Sequence, residues 1–347
     1  MVSSWLLSLV LAADLFPRGL APIDAGAPDK LRAAACTGCH PTVHGEWAQS
    51  RHGLAWTNAI FQREYRDRPL EWCVHCHAPL TEQLAEVRRG GGALADEGVN
   101  CAACHIRAGR VLSRAKSPAS PHDTDVRADF GGTAYCAGCH QFTFPTIEPD
   151  PDKKGPGRVT GYTAHPMQDT VAQHARGPHA DKECLSCHRG DAPSHRFPGG
   201  HDDEMIARAV RMETCRAGTN LVVTLANAGA GHNVPTGDLH RHLVLRAWRA
   251  GAPEKLQEIT LGRRFAPASD GGKRTVADTT IRAGETRRLE LPMGRFAAAP
   301  EPISLELRLV YTIDEFPFRG RELTAPTFAT MLARELDWKT TPRCARR

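Results

Sequence analysis

The motif Cys-x-x-Cys-His occurs five times in this 347-residue chain, and it constrains the fold more than any other feature of the sequence. Two residues between the cysteines let both sulfur atoms reach the two vinyl groups of one porphyrin, and the adjacent histidine then lies under the iron as its proximal ligand. The ten motif cysteines are Cys36, Cys39, Cys73, Cys76, Cys101, Cys104, Cys136, Cys139, Cys184 and Cys187. The five proximal histidines are His40, His77, His105, His140 and His188. The pattern predicts five covalently attached haem c groups.

Two other kinds of site use paired cysteines. A single Cys-x-x-Cys pair can form a redox disulfide of the thioredoxin kind, or it can supply half of a zinc site. Neither chemistry requires a histidine directly after the second cysteine, yet all five copies have one. Zinc sites would also take the pairs two at a time, and five is an odd number. Haem attachment is therefore the preferred interpretation.

The remaining histidines are candidates for the sixth, distal iron ligand. The chain has 17 histidines, of which five belong to the motifs, and this surplus indicates mostly bis-histidine irons. The leading candidates lie between or after the motifs, beside Gly, Pro or Ser: His52, His122, His179, His195, His201 and His232. The last of them comes from the C-terminal part of the chain and would attach that part to the haem region. The sequence does not determine which histidine serves which haem.

The chain predicts two domains of different character, in an α+β fold. Residues 30–205 hold the five motifs and are expected to form short helices and loops packed on the haems, with 113–123 and 145–158 as loops. Residues 206–347 contain short segments of alternating apolar and polar residues, which predict a β-sandwich-like domain. The segment TFATMLARELDW near the C-terminus is expected to form a helix.

The N-terminus and the two cysteines outside the motifs indicate in which cell compartment the protein resides. Residues 1–13 include a short apolar run followed by small residues, which predicts a signal peptide; an uncleaved anchor or a buried helix is the alternative. Cys215 and Cys344 are expected to form a disulfide, the alternative being two free thiols. Together these features predict a periplasmic or extracellular protein. The formal net charge of +5 is mild and dispersed, which argues against nucleic acid as a partner.

Three stretches resemble a known family: CTGCHPTVHGEWAQSRHGLAW (36–56), EGVNCAACH (97–105) and CLSCHRGDAPSHRFPGGHD (184–202). They are similar to the multihaem c-type cytochromes, and among these to the tetrahaem electron acceptors of hydroxylamine oxidoreductase. The resemblance implies paired, stacked haems and distal ligands at His52 and His179. The stretch 231–248 looks like the β-domain that some larger members carry. Five motifs exceed the tetrahaem pattern.

Three functions are consistent with these features. The preferred one is electron transfer between donor and acceptor proteins through the haems. The second is a multihaem oxidoreductase that acts on a small nitrogen or sulfur compound at one iron with an open sixth position. The third is a haem-wire subunit of a larger assembly, in which the β-domain docks a partner or another copy of the chain. Pentahaem nitrite reductases typically carry a Cys-x-x-Cys-Lys motif, and none occurs here, so the electron carrier is favoured over the enzyme. The predicted β-domain has no recognisable catalytic constellation, which favours a role in docking or in covering the haems.

Overall fold

A computed structural model describes the chain over residues 23–26, 28–152, 155, 157–189, 194–249, 252–269, 272–294, 301–311 and 327–345. The predicted signal peptide lies outside the described residues. The chain divides into two compact units. The first contains the described residues of 1–166, 182–198 and 268–272, and the second those of 167–181, 199–267 and 273–347. Residues 167–181 and 199–205, which precede the predicted boundary, thus group with the second unit.

The described helices are short, the longest having nine residues. They are α1 Ala34–Thr37, α2 Pro41–Ala48, α3 Ala59–Asp67, α4 Glu71–His77, α5 Thr81–Arg88, α6 Cys101–His105, α7 Thr133–His140, α8 Thr170–Ala175, α9 Leu185–His188 and α10 Asp203–Ala209. Two of them begin at asparagine caps, because the side chains of Asn58 and Asn100 accept from Phe61 N and Ala103 N. Four of them, α4, α6, α7 and α9, end at a motif histidine. The motifs therefore set where these helices end.

The described apolar packing of the first unit consists of two small clusters. One is formed around Leu80, Leu112 and Tyr135, and it includes the two alanines inside the third motif. The other surrounds Trp56 and Val74. Such small clusters are consistent with an interior in which bound porphyrins supply part of the apolar volume.

The first unit also contains strands that the sequence did not indicate. β1 (Ile106–Arg107), β2 (Arg110–Ser113) and β3 (Thr124–Val126) form one sheet. β4 (Gln141–Glu148) pairs with β5 (Arg158–Asp169), whose last three residues belong to the second unit. The expectation of a loop over 145–158 is therefore wrong at both ends, and only 149–157 connects the strands. Aromatic and β-branched residues occur along both strands and favour extended structure.

The second unit is dominated by two antiparallel sheets, which confirms the α+β prediction. Its strands are β6 Arg211–Ala217, β7 Asn220–Ala226, β8 His242–Arg249, β9 Ala252–Pro267, β10 Lys273–Asp278, β11 Thr286–Pro292, β12 Ile303–Val310 and β13 Phe328–Leu336. One sheet has the order β10-β9-β8-β12-β13 and the other β11-β7-β6. On β12 the expected alternation is present from Leu305 onward: Leu305 and Leu307 are fully buried, whereas Glu306 and Arg308 are partly exposed. Ser304 is buried as well.

The predicted C-terminal helix is wrong, because TFATMLARELDW contributes β13 instead. Its Ala, Met, Leu, Arg and Glu residues favour a helix intrinsically. Pairing overrides that preference: β13 runs antiparallel to β12 from Ile303 opposite Leu336 to Val310 opposite Phe328. Met331 lies at a bulge in this pairing and is buried. Tertiary contacts along a neighbouring strand therefore decide the structure of this segment.

The predicted disulfide is confirmed, since Cys215 on β6 is bonded to Cys344. Next to it, Arg216 N donates to Pro342 O at 2.8 Å, and Cys344 N donates to Arg216 O at 3.0 Å. The C-terminal residues thus pair with the outer side of β6, an edge strand of its sheet. In the part of the chain that the structure describes, no helix has the length and apolar character needed to cross a lipid bilayer.

Candidate haem sites

Each Cys-x-x-Cys-His motif forms one helical turn. In the first and fifth motifs, which extend beyond the helix bounds, His40 N donates to Cys36 O at 2.9 Å and His188 N donates to Cys184 O at 3.0 Å. Residues three and four positions apart lie on the same side of a helix. Both sulfur atoms and the imidazole therefore face one side of the turn, as attachment of a single porphyrin requires.

The motif cysteines form no disulfide in the described structure, and most are partly buried. Burial raises the pKa of Cys73 and of Cys104 to about 11 each. The two sulfur atoms therefore lie in surroundings that largely exclude water.

The third motif lies between the first and the fourth. The side chains of Cys36 and Cys101 are in hydrogen-bond contact. Asn100, which caps the third-motif helix α6, also donates to Leu31 O at 2.8 Å, just before the first motif. On the other side, the Tyr135 hydroxyl of the fourth-motif helix α7 donates to Cys104 O. The first, third and fourth motifs are therefore consecutive neighbours in space.

The fourth motif also contacts the fifth and the second. Cys184 Sγ lies 3.7 Å from the hydroxyl of Thr133, the first residue of α7. The ring of Trp72, beside the second motif, packs edge-on against Phe142 at 5.4 Å between ring centres. Direct contacts between thiols join the same motifs: Cys136 with Cys184 and Cys139 with Cys76. The fourth motif is thus adjacent to three others, and spatial order differs from chain order.

Backbone carbonyls orient three of the proximal histidines. In each case ring Nδ1 lies at hydrogen-bond distance from a carbonyl oxygen: His77 with Ala55 O at 2.8 Å, His105 with Leu112 O at 3.0 Å, and His188 with Pro198 O at 2.7 Å. A carbonyl can only accept, so Nδ1 carries the proton in these rings. Nε2 then keeps its lone pair, and this is the arrangement usual for histidines that ligate metals.

Three predicted distal histidines lie opposite proximal ones. The distances between ring centres are 6.2 Å for His40 and His122, 6.4 Å for His52 and His140, and 6.2 Å for His105 and His195. Two metal–imidazole bonds of about 2 Å each place the nitrogen atoms about 4 Å apart, and the ring centres, lying just behind them, about 6 Å apart. The observed separations match one metal ion held between the two rings of each pair.

Three of these imidazoles are in environments that keep them neutral. Burial is the main cause that lowers the pKa of His52 to about 4, and nearby His140 and His188 lower it further. Burial likewise lowers the pKa of His105 and of His195. A neutral ring offers the lone pair that iron needs, whereas an imidazolium does not.

One unsatisfied atom supports the fit of a metal at the third pair. His195 Nδ1 is buried and has no hydrogen-bond partner among the described residues. A buried acceptor or donor left without a partner costs about 1–3 kcal/mol. Together with the motif cysteines and the paired rings, this atom supports the fit of the donor set to a c-type haem. Bound haem iron would supply an Fe(III)/Fe(II) couple at each such site.

The other three distal candidates lie in the second unit. His179 lies next to Gly231. His201 stacks on Tyr311 with ring centres 4.0 Å apart. His232 Nδ1 lies 2.9 Å from Asn233 O, so it has the same orienting contact as the proximal histidines. All three stay predictions as iron ligands.

The sequence did not indicate the aromatic residues that pack on the histidines. Phe61 of α3 stacks flat on His77, with 3.6 Å between ring centres. Phe197 contacts both His52 and His195 edge-on. No residue pattern marks either phenylalanine, although Phe197 belongs to the SHRFP stretch that carries His195.

Comparisons with known proteins concern the motif region and the overall fold. Residues 35–106, which contain the first three motifs, match the family described as cytochrome c554 and c-prime. The fold is similar to that of a penta-haem cytochrome c552 from Thermochromatium tepidum, with a TM-score of 0.62 and 20% identity, over 91% of this chain and 100% of that one. No curated protein sequence matches the chain. These findings support a multihaem c-type cytochrome. The structural match by itself shows the fold, and the predicted similarity to the acceptors of hydroxylamine oxidoreductase remains a prediction.

Proposed function

We propose that the chain carries five c-type haems, one on each motif, and transfers electrons between redox partner proteins outside the cytoplasm. The observation that carries this proposal is the set of three histidine pairs whose ring centres lie 6.2–6.4 Å apart. Each pair joins a proximal histidine of one motif to a histidine far along the chain. Bis-histidine ligation leaves no open position for a substrate and gives low reduction potentials, both of which suit an electron carrier.

The ligand assignments follow from the pairs. His122 is the distal ligand at the first motif, His195 at the third and His52 at the fourth. His179, His201 and His232 stay candidate ligands for the remaining irons.

The contacts between motifs support a route for electrons. Haems attached to adjacent motifs are neighbours, so the first site communicates with the fourth through the third. The fourth site, at Cys136 and Cys139, is a junction because its motif also contacts the second and fifth motifs. Electrons that enter at the first, second or fifth site therefore reach the other two through the fourth site.

Two features support a periplasmic or extracellular location. The disulfide between Cys215 and Cys344 is of a kind that persists in oxidising compartments. The predicted signal peptide points the same way. The β-sheets of the second unit are a candidate surface for docking a redox partner or another copy of the chain.

The proposal is tested on protein matured in a host that attaches c-type haem. We expect an intact mass with five haem additions and a ferric electron paramagnetic resonance (EPR) spectrum with at least three low-spin haems. The double variant Cys36→Ala/Cys39→Ala should lose one haem, whereas the control Cys215→Ser should keep all five. A different haem count in the parent protein, or a spectrum dominated by high-spin iron, would refute the proposal.

A further inference from the structure

The short segment 194–198 contacts three of the haem sites. His195 pairs with His105 of the third motif. Phe197 packs on His52, which pairs with His140 of the fourth motif. Pro198 O accepts from the proximal His188 of the fifth motif at 2.7 Å. Three residues of this five-residue segment thus contact histidines of three sites, and all of these residues belong to the first unit.

Phe197 lies between two of the distal histidines. Its ring centre is 4.7 Å from that of His52, with an interplanar angle of 70°, and 5.8 Å from that of His195, with an angle of 79°. Both contacts are edge-to-face, the arrangement that aromatic rings prefer. A ring held edge-to-face cannot rotate about its side-chain bonds without losing the contact. One phenyl group therefore limits the orientation of two imidazoles from different sites.

The backbone of Phe197 has an unusual conformation for this residue. Its φ is 48°, in the left-handed region that a side chain other than glycine rarely adopts. It also precedes Pro198, a position that normally favours extended backbone. Such strain persists only where the surroundings fix it, and it occurs preferentially at functional sites. Here one fixed point is Glu46, whose Oε2 accepts from His195 N at 2.9 Å.

We propose that Phe197 is a positioning residue that sets the planes of His52 and His195 at the fourth and third haem sites. The inference rests on the proposed ligation of these two histidines. The angle between ring planes is 61° in the His52 pair and 32° in the His195 pair. Phe197 restrains the ring orientation in both pairs. A movement of its side chain therefore changes the distal histidine planes at two adjacent sites together. The His40 pair, at 26°, has no described contact with Phe197 and is an internal reference.

The test uses EPR of the ferric holoprotein, because the low-spin signal depends on the angle between the two axial imidazole planes. In Phe197→Leu we expect two of the low-spin signals to shift and the signal of the His40 pair to stay unchanged. Phe197→Tyr keeps the ring and should give the parent spectrum. Phe328→Leu removes an exposed phenylalanine on β13 and is the matched control. Intact mass checks that every variant carries the parent number of haems.

The outcomes separate this inference from the proposed function. If His52→Ala and His195→Ala each create a high-spin haem but Phe197→Leu shifts no signal, the ligation stands and the positioning role is refuted. An equal shift of all low-spin signals in Phe197→Leu, or an equal shift in Phe197→Tyr, refutes it too. If neither histidine variant creates a high-spin haem, the proposed ligation itself is wrong.

Discussion

The replacement of His52 by alanine is the most direct test of the site geometry. His52 has its ring centre 6.4 Å from that of His140 and does not belong to a motif. The substitution removes one axial ligand and leaves the cysteines and proximal histidine of the fourth motif in place. Haem attachment should therefore survive, whereas the iron at this motif should lose its sixth ligand.

The size of the effect follows from the number of motifs. One iron in five should change from low-spin to high-spin, so the low-spin EPR intensity should fall by that of one haem, which is about one-fifth to one-third of the total for three to five low-spin haems. Carbon monoxide binds to an iron with an open position, and the variant should take up about one more equivalent per chain than the parent. The proximal imidazole remains, so the intact mass should change only by the substitution.

His44→Ala is the matched control. His44 is also partly buried and packs on an aromatic ring, that of Trp47, at 5.5 Å. It lies one helical turn after His40, and in the proposed assignments it serves no iron. The control should have the parent spin state and carbon monoxide stoichiometry. If His52→Ala binds no additional carbon monoxide, or if the control binds as much as His52→Ala, the ligand assignment is wrong.

Three further predictions concern stability and the third site. Cys215→Ser opens a disulfide that spans 129 residues, and it should lower the free energy of unfolding by about 4–5 kcal/mol. Urea unfolding followed by far-ultraviolet circular dichroism measures this loss. An unchanged unfolding midpoint would contradict the prediction. Asn100→Ala removes a helix cap and two buried donor contacts at once, so it should cost about 2–3 kcal/mol. The cap-only control Asn58→Ala should cost about 1 kcal/mol, and equal losses would refute the added role of the amide. Glu46→Ala removes the carboxylate that accepts from His195 N, and it should shift one low-spin EPR signal. Glu46→Gln should shift this signal less. Spectra identical to that of the parent would show that this hydrogen bond does not position the ligand.

The sequence predicts the elements that depend on local chemistry. Each Cys-x-x-Cys-His motif is contiguous, so its chemistry can be recognised without the fold. The strands around Leu221 and Leu305 were likewise predictable, because one buried face imposes a period of two. The change from a motif-rich stretch to alternating segments likewise predicted the α+β class.

Features that depend on distant segments were not predictable. His122 lies 82 positions after His40 in the chain, so no spacing rule links the two rings. The segment 327–338 has helical composition and becomes a strand only because β12 offers it a partner. The proposed role of Phe197 depends on its contacts with His52 and His195, and a single phenylalanine carries no recognisable pattern in the sequence. Long-range contacts decide all three features, and local propensity does not.

The pairing of the C-terminal residues with β6 has a consequence for solubility. An uncovered outer strand exposes unpaired amide and carbonyl groups that can recruit a strand from a neighbouring molecule. Here Pro342 O accepts from Arg216 N, and Cys344 N donates to Arg216 O. The disulfide holds these residues against β6. An oxidised molecule therefore keeps the Arg216 end of β6 covered, and purification under strongly reducing conditions should favour aggregation.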